Sequence, residues 1–106
     1  MIYAVDFDGT LCESKWPGIG EPNWELIEWA IKKRQNGDKL ILWTMREGQN
    51  LNEALEWCNS KGLYFDAIND NLVELQEAYK NNPRKIYADV YIDDHNVGGV
   101  KMEDII

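Results

Sequence analysis

Histidine occurs once in this chain and cysteine only twice, and the two thiols, Cys12 and Cys58, form neither a CxxC pair nor part of a zinc-ligand cluster. A disulfide-stapled scaffold is therefore excluded, and both cysteines are expected reduced, in a cytoplasmic protein. No apolar run approaches the roughly 18 residues of a membrane helix. The first run, Met1 to Val5, has no basic stretch before it and stops at Asp6, which is too short for a signal peptide. Cationic side chains are sparse as well: 11 Lys and Arg face 19 Asp and Glu, a net charge of -8. That balance opposes steering towards nucleic acid or an anionic membrane unless cations intervene, so neither is an expected partner. Linkers, repeats and low-complexity tracts are missing too.

What remains is the composition of an ordinary globular domain. With 44% hydrophobic and 28% charged residues, the 106 residues can bury one core and not two, which gives a single domain over 1–106. Four segments read as strands of a buried parallel sheet, because each is apolar or nearly so without polar alternation: Ile2 to Asp6, Leu40 to Thr44, Tyr64 to Ile68 and Val90 to Asp93. Between the first two, Trp24 to Arg34 carries helix punctuation, with Pro22 near its start, Lys32, Lys33 and Arg34 in its last turn and Gly37 beyond. Leu51, Ala54, Leu55 and Cys58 repeat with helical spacing and are closed by Lys61 and Gly62. A third helix is predicted from Leu72, Leu75 and Tyr79, with Asn71 as cap, Glu74 three residues on and Pro83 as stop. After it, Gly98 and Gly99 make a turn, and the tail from Val97 to Ile106 ends as a short helix or an edge strand. Alternating strands and helices imply an α/β fold of three layers, Rossmann-like, with ligands gathering at the carboxyl ends of a central parallel sheet.

The residues that close the apolar runs are Asp6, Thr44, Asn69 and Asp93, the last followed by Asp94. With Asp8 added, four carboxylates would meet at one sheet edge. Two like charges about 4 Å apart repel by about 4 kcal/mol at an effective dielectric of 20, so a cation is expected among them. Oxygen-only ligands, with no His or Cys, suit Mg²⁺ rather than zinc.

DFDGTL, from Asp6 to Leu11, resembles the first motif (DxDxT) of the haloacid dehalogenase superfamily of phosphohydrolases. LILWT, ending at Thr44, is similar to the second, and YIDD, ending at Asp93 and Asp94, to the fourth. The resemblance implies a phosphatase in which Asp6 attacks phosphorus to form an aspartyl phosphate that water then hydrolyses. Asp8 would protonate the leaving oxygen and afterwards deprotonate that water. Backbone amides of Phe7 and Asp8 would donate to the phosphate, and the Thr44 hydroxyl would hold one of its oxygens. Mg²⁺ would sit on Asp6, the backbone carbonyl of Asp8, and Asp93, with Asp94 direct or through water. Thr10 belongs to the same substrate loop, which the resemblance implies it supports; Asn69 starts a turn, and His95 has no role in this chemistry.

The third motif departs from the pattern. Its lysine is best matched by Lys85, which follows the third helix and precedes KIYADVYIDD with no further helix between. One straight strand from 85 to 93, at about 3.3 Å per residue, would leave Lys85 more than about 20 Å from Asp93, so a bend near Ala88 or Asp89 is required. Lys15 and Arg46, on loops flanking the strand ends, are the alternative phosphate-binding cations.

Residues 12–38 and 45–84 leave no room for the cap domain of larger superfamily members, so the chain reads as capless. The loop CESKWPGIGEP is the expected cover, a flap with Trp16 as its aromatic face, while Trp24, Trp29, Trp43 and Trp57 fall in core or interface patterns. Abundant tryptophan and an uncovered site leave room for a homodimer. The expected partner is a phosphorylated substrate. Two competing readings are a receiver-like domain that stores the phosphoryl group and a non-catalytic module that kept the fold. Motif order opposes the first, since receivers carry their acidic pair after the first strand, and intact Asp6 and Asp8 oppose the second.

Overall fold

A computed structural model describes residues 1–70, 72 and 88–93. In chain order the described elements are β1 (Ile2–Val5), β2 (Cys12–Lys15), β3 (Gly18–Pro22), α1 (Trp24–Gln35), β4 (Lys39–Leu42), α2 (Gly48–Ser60), β5 (Ala67–Ile68) and β6 (Val90–Ile92). The apolar runs form a four-stranded sheet in the order β5-β4-β1-β6, with every pairing parallel. The fold is therefore α/β with a parallel sheet. From β1 the chain moves outward through β4 and β5, and β6 then lies on the other side of β1. The topological switch point is the carboxyl end of β1, where Asp6 stands.

Both faces of the sheet are used, which explains why its strands lack polar alternation. Tyr3, Val5, Leu40 and Leu42 point to one side, where Leu26, Ile27 and Ala30 of α1 and Ala54 and Cys58 of α2 complete the main core. The Tyr3 and Trp29 rings meet edge to face there, at 4.9 Å between centroids. On the other side Ala4 and Ile41 pack with Leu72 and Ala88.

The helices obey their local punctuation. Asn23 caps α1 by accepting the Leu26 N–H at 3.3 Å. Each helix ends in a Schellman arrangement, with Asp38 N–H on Lys33 O and Gly37 N–H on Arg34 O after α1, and Leu63 N–H on Cys58 O and Gly62 N–H on Asn59 O after α2. At the amino-terminal edge of the sheet, acidic side chains satisfy strand-opening donors: Asp66 accepts from Leu40 N–H at 2.8 Å and Asp89 from Ile2 N–H at 2.7 Å.

Several expectations change. Residues 12–22 form an antiparallel hairpin, β2 with β3, rather than a loop, pairing Cys12 with Pro22 and Lys15 with Gly18 around an irregularity between Cys12 and Ser14. Tyr64 to Ile68 contributes only Ala67–Ile68 to the sheet, because Asp66 turns its side chain back onto β4. Of the tryptophans expected in core or interface positions, Trp29 is buried and Trp24 and Trp43 are exposed. The third helix, Lys85, Asp94, His95 and the tail lie outside the described residues, apart from buried Leu72. The strand before Asp93 begins at Val90, after a bend at Asp89. Among the described residues no helix is long and apolar enough to cross a membrane.

Candidate functional site

The four strand ends deliver one polar residue each to the same edge. Asn69 follows β5, Thr44 lies two residues beyond β4, Asp6 follows β1 and Asp93 follows β6. Val5 is in register with Ile92, and the Asp6 N–H continues that ladder onto Ile92 O at 2.9 Å. Asp6 and Asp93 are thus neighbours on adjacent strands, whose spacing is about 4.8 Å. Asn69, with a left-handed φ of 52°, accepts the Thr44 N–H on its side-chain oxygen at 2.7 Å and so anchors Thr44. Thr44 Oγ1 accepts the Arg46 N–H at 3.1 Å, which leaves its own hydroxyl proton to donate.

Beyond Asp6 the chain curls. Thr10 N–H and Leu11 N–H both reach Phe7 O, and Gly9 adopts φ of 80°, a conformation that glycine takes without steric cost. The Phe7 N–H, expected as a phosphate donor, instead donates to Asp6 Oδ1 at 2.8 Å and orients that carboxylate. Thr10 is buried at 3% exposure, and its hydroxyl has no hydrogen-bond partner among the described residues. It braces the loop through its backbone, with Thr10 O accepting from Asn23 Nδ2 at 3.2 Å.

The sequence reading placed Asp8 among clustered acids and Arg46 as a cation for phosphate; the structure pairs the two with each other. Arg46 Nε donates to Asp8 Oδ2 at 2.8 Å and Nη2 to Asp8 Oδ1 at 2.7 Å, a two-point fork. Nη2 also donates to Gly18 O at 2.8 Å, and Nη1 to Pro17 O at 3.2 Å and Asn50 O at 3.5 Å. All five guanidinium N–H groups therefore rest on protein acceptors. The group lies over two aromatic rings, 5.0 Å from the Phe7 centroid and 4.9 Å from that of Trp16. Its hydrogen bond to Asp8 raises the Arg46 pKa further, against the opposing effect of burial. Through these contacts the hairpin is fastened beside the strand ends, with Trp16 more than half exposed on it. Lys15 stands exposed at the end of β2, in the hairpin rather than on a loop.

The pairing changes the electrostatics inferred from sequence. Asp8 has a counter-charge in Arg46, so the edge does not confront a cation with four bare acids. Among the described residues, no three His, Cys, Asp or Glu side chains stand together as a metal-holding group. The donor set at Asp6 and Asp93, two carboxylates on neighbouring strand ends, fits a hard cation such as Mg²⁺ in type. Asp94, the fourth acid of the expected set, lies outside the described residues.

Sequence reasoning passed over four contributors: Asn69 as the anchor of Thr44, and Pro17, Gly18 and Asn50 as backbone acceptors for Arg46. One signal was available for the clamp: Arg46 is the basic residue that follows Thr44 in the loop after β4, where acids were expected to crowd.

No protein-family model matches this chain, and no curated protein does. Among solved structures, a conserved protein from Bacteroides thetaiotaomicron superposes with a TM-score of 0.85 at 44% sequence identity, over 99% of this chain and 84% of the other.

Proposed function

We propose, for a chain that belongs to the same family as that conserved Bacteroides thetaiotaomicron protein, the function of a capless, haloacid dehalogenase-like phosphohydrolase that depends on Mg²⁺ and cleaves a phosphomonoester. The observation that carries this reading is the convergence of Asp6, Thr44 and Asp93 on one sheet edge at the switch point, with Asp8 held beside them. Asp6 is the nucleophile. Its Oδ1 accepts the Phe7 N–H, which orients the carboxylate at the carboxyl end of β1 for attack on phosphorus. The Thr44 hydroxyl, with its oxygen already oriented by the Arg46 N–H, donates to a phosphate oxygen. Asp8 moves the proton: it serves the leaving oxygen first and the hydrolytic water second. Asp6 and Asp93, with the Asp8 carbonyl and Asp94, would hold Mg²⁺, which would supply the positive charge that lets a carboxylate approach a phosphate dianion. Lys85 is the further neutralising cation, and the β2–β3 hairpin with Trp16 stands where larger enzymes carry a cap.

The test is phosphate release from p-nitrophenyl phosphate and a panel of phosphomonoesters, with Mg²⁺ or with EDTA, by wild type and Asp6→Asn. Turnover that needs Mg²⁺ and falls to background in Asp6→Asn is expected. Equal rates in the two proteins would remove Asp6 as nucleophile, and a lasting phosphoenzyme without phosphate release would favour the phosphoryl-storing alternative.

A further inference from the structure

The Arg46 clamp is more than the assigned chemistry asks for. A guanidinium that is 1% exposed at a sheet edge must give up its water, and every N–H it would have shown to solvent is directed onto a named acceptor. Two of the five hydrogen bonds go to Asp8, one to each carboxylate oxygen, and the Phe7 and Trp16 rings pack against the guanidinium. A two-point contact of this kind removes the rotation of the carboxylate that a single contact would allow. Each Asp8 oxygen still keeps a second lone pair, so it can accept a proton without leaving Arg46.

We propose that Arg46 is a positioning residue for the second half-reaction: it holds Asp8 as the base that activates water against the aspartyl phosphate. The proposal rests on the phosphohydrolase reading above. In this step the water oxygen forms a bond to phosphorus while the bond from phosphorus to the Asp6 oxygen breaks, its electron pair returning to Asp6. The water proton passes to Asp8 and then to solvent. Inorganic phosphate and the free Asp6 carboxylate result. The first half-reaction with an aryl phosphate needs Arg46 much less, because a nitrophenolate departs without a proton.

That asymmetry gives the test. With p-nitrophenyl phosphate and Mg²⁺, Arg46→Gln lowers kcat about 100-fold, the lower end of what a positioned base contributes. KM falls with it, so kcat/KM stays within about threefold. A burst of nitrophenolate precedes the slow steady state, and acid quenching followed by mass spectrometry recovers phosphorylated Asp6. Asp8→Asn behaves alike, and the double variant is no slower than either single one, as expected for residues acting as a unit. Arg46→Lys keeps the charge without the fork; it shows the same burst and carries the test should Arg46→Gln not fold. A parallel fall of kcat and kcat/KM in Arg46→Lys, with no phosphoenzyme, overturns the positioning role while leaving the phosphatase intact. A wild type without Asp6-dependent turnover removes the reading beneath it as well.

Discussion

Thr10 and Cys58 are both buried, and each carries a polar atom that burial treats badly in its own way. The Thr10 hydroxyl lost its water and gained no partner among the described residues, so it contributes a desolvation cost of about 1–3 kcal/mol that the methyl of valine would not. Thr10→Val keeps the β-branch and the volume, and the Asn23 contact to the Thr10 backbone is untouched. The expected outcome is an unchanged or raised Tm by thermal melting. A loss above about 1 kcal/mol would mean that the hydroxyl has a structural partner after all. For Cys58, burial pushes the thiol pKa up to about 12 from an ordinary 9.0. The folded protein therefore holds that proton more tightly than the unfolded chain does. The sign follows: the contribution is fully present below about pH 9 and is lost as pH rises towards 12, by at most about 1.4 kcal/mol per pH unit. Urea melts at pH 7.5, about 9 and about 10.5 measure it, with Cys58→Ala flattening the alkaline part of the decline. In the native state at neutral pH neither Cys58 nor buried Cys12 is expected to react with a thiol reagent before unfolding.

Among the elements, the hairpin differs from the rest in how it is held. Of β2 only Cys12 is buried, and β3 buries only Gly20, so little apolar surface keeps the pair in place. Its attachments are backbone pairing and the carbonyls of Pro17 and Gly18 on Arg46. At Gly20 the two strands run so close that an added Cβ would press into the backbone of Glu13 and lie 2.8 Å from its Cβ. Gly20→Ala must spread the strands, at a cost of about 1–3 kcal/mol, and reads out as a lowered urea midpoint. A midpoint equal to wild type would show that the hairpin relaxes freely. The same element shows where sequence reasoning stops. The first two helices were legible because their punctuation is local: Pro22 stands just ahead of α1, and the Gly37 and Gly62 ends act within a few residues of where they stand. The sheet strands were legible because burial on both faces erases polar alternation. The hairpin has neither signal, since its faces are mostly open to water and its anchor, Arg46, lies 28 residues from Gly18 along the chain. For the same reason the strand-end roster of Asp6, Thr44, Asn69 and Asp93 could be read, while the Asp8–Arg46 pairing, a contact across 38 residues, could not.

On the scale of the whole molecule, the excess of acid is sorted by sheet edge. Asp38, Asp66 and Asp89 stand at the amino-terminal edge and accept from Met1, Leu40 and Ile2 nitrogens, which is structural work that needs no ligand. At the carboxyl edge Asp8 is neutralised by Arg46, and Asp6 and Asp93 are brought side by side by strand register. The sorting makes a thermodynamic prediction that does not depend on finding the substrate. A cation that binds the folded edge and not the unfolded chain stabilises by RT ln(1 + [L]/Kd), about 2.7 kcal/mol at a hundred times Kd. In a chain of this size that corresponds to a rise in Tm of about 10 °C on adding saturating Mg²⁺. Because the effect is a difference between two melts of the same protein, it is separable from any change that a substitution makes to the metal-free fold. Asp93→Asn, which removes one of the two adjacent carboxylates, is expected to lose most of the Mg²⁺-dependent rise, whereas Asp66→Asn, on the opposite edge, keeps it. Equal rises in all three proteins would assign the effect to general screening of the net negative charge rather than to a site at the end of β1.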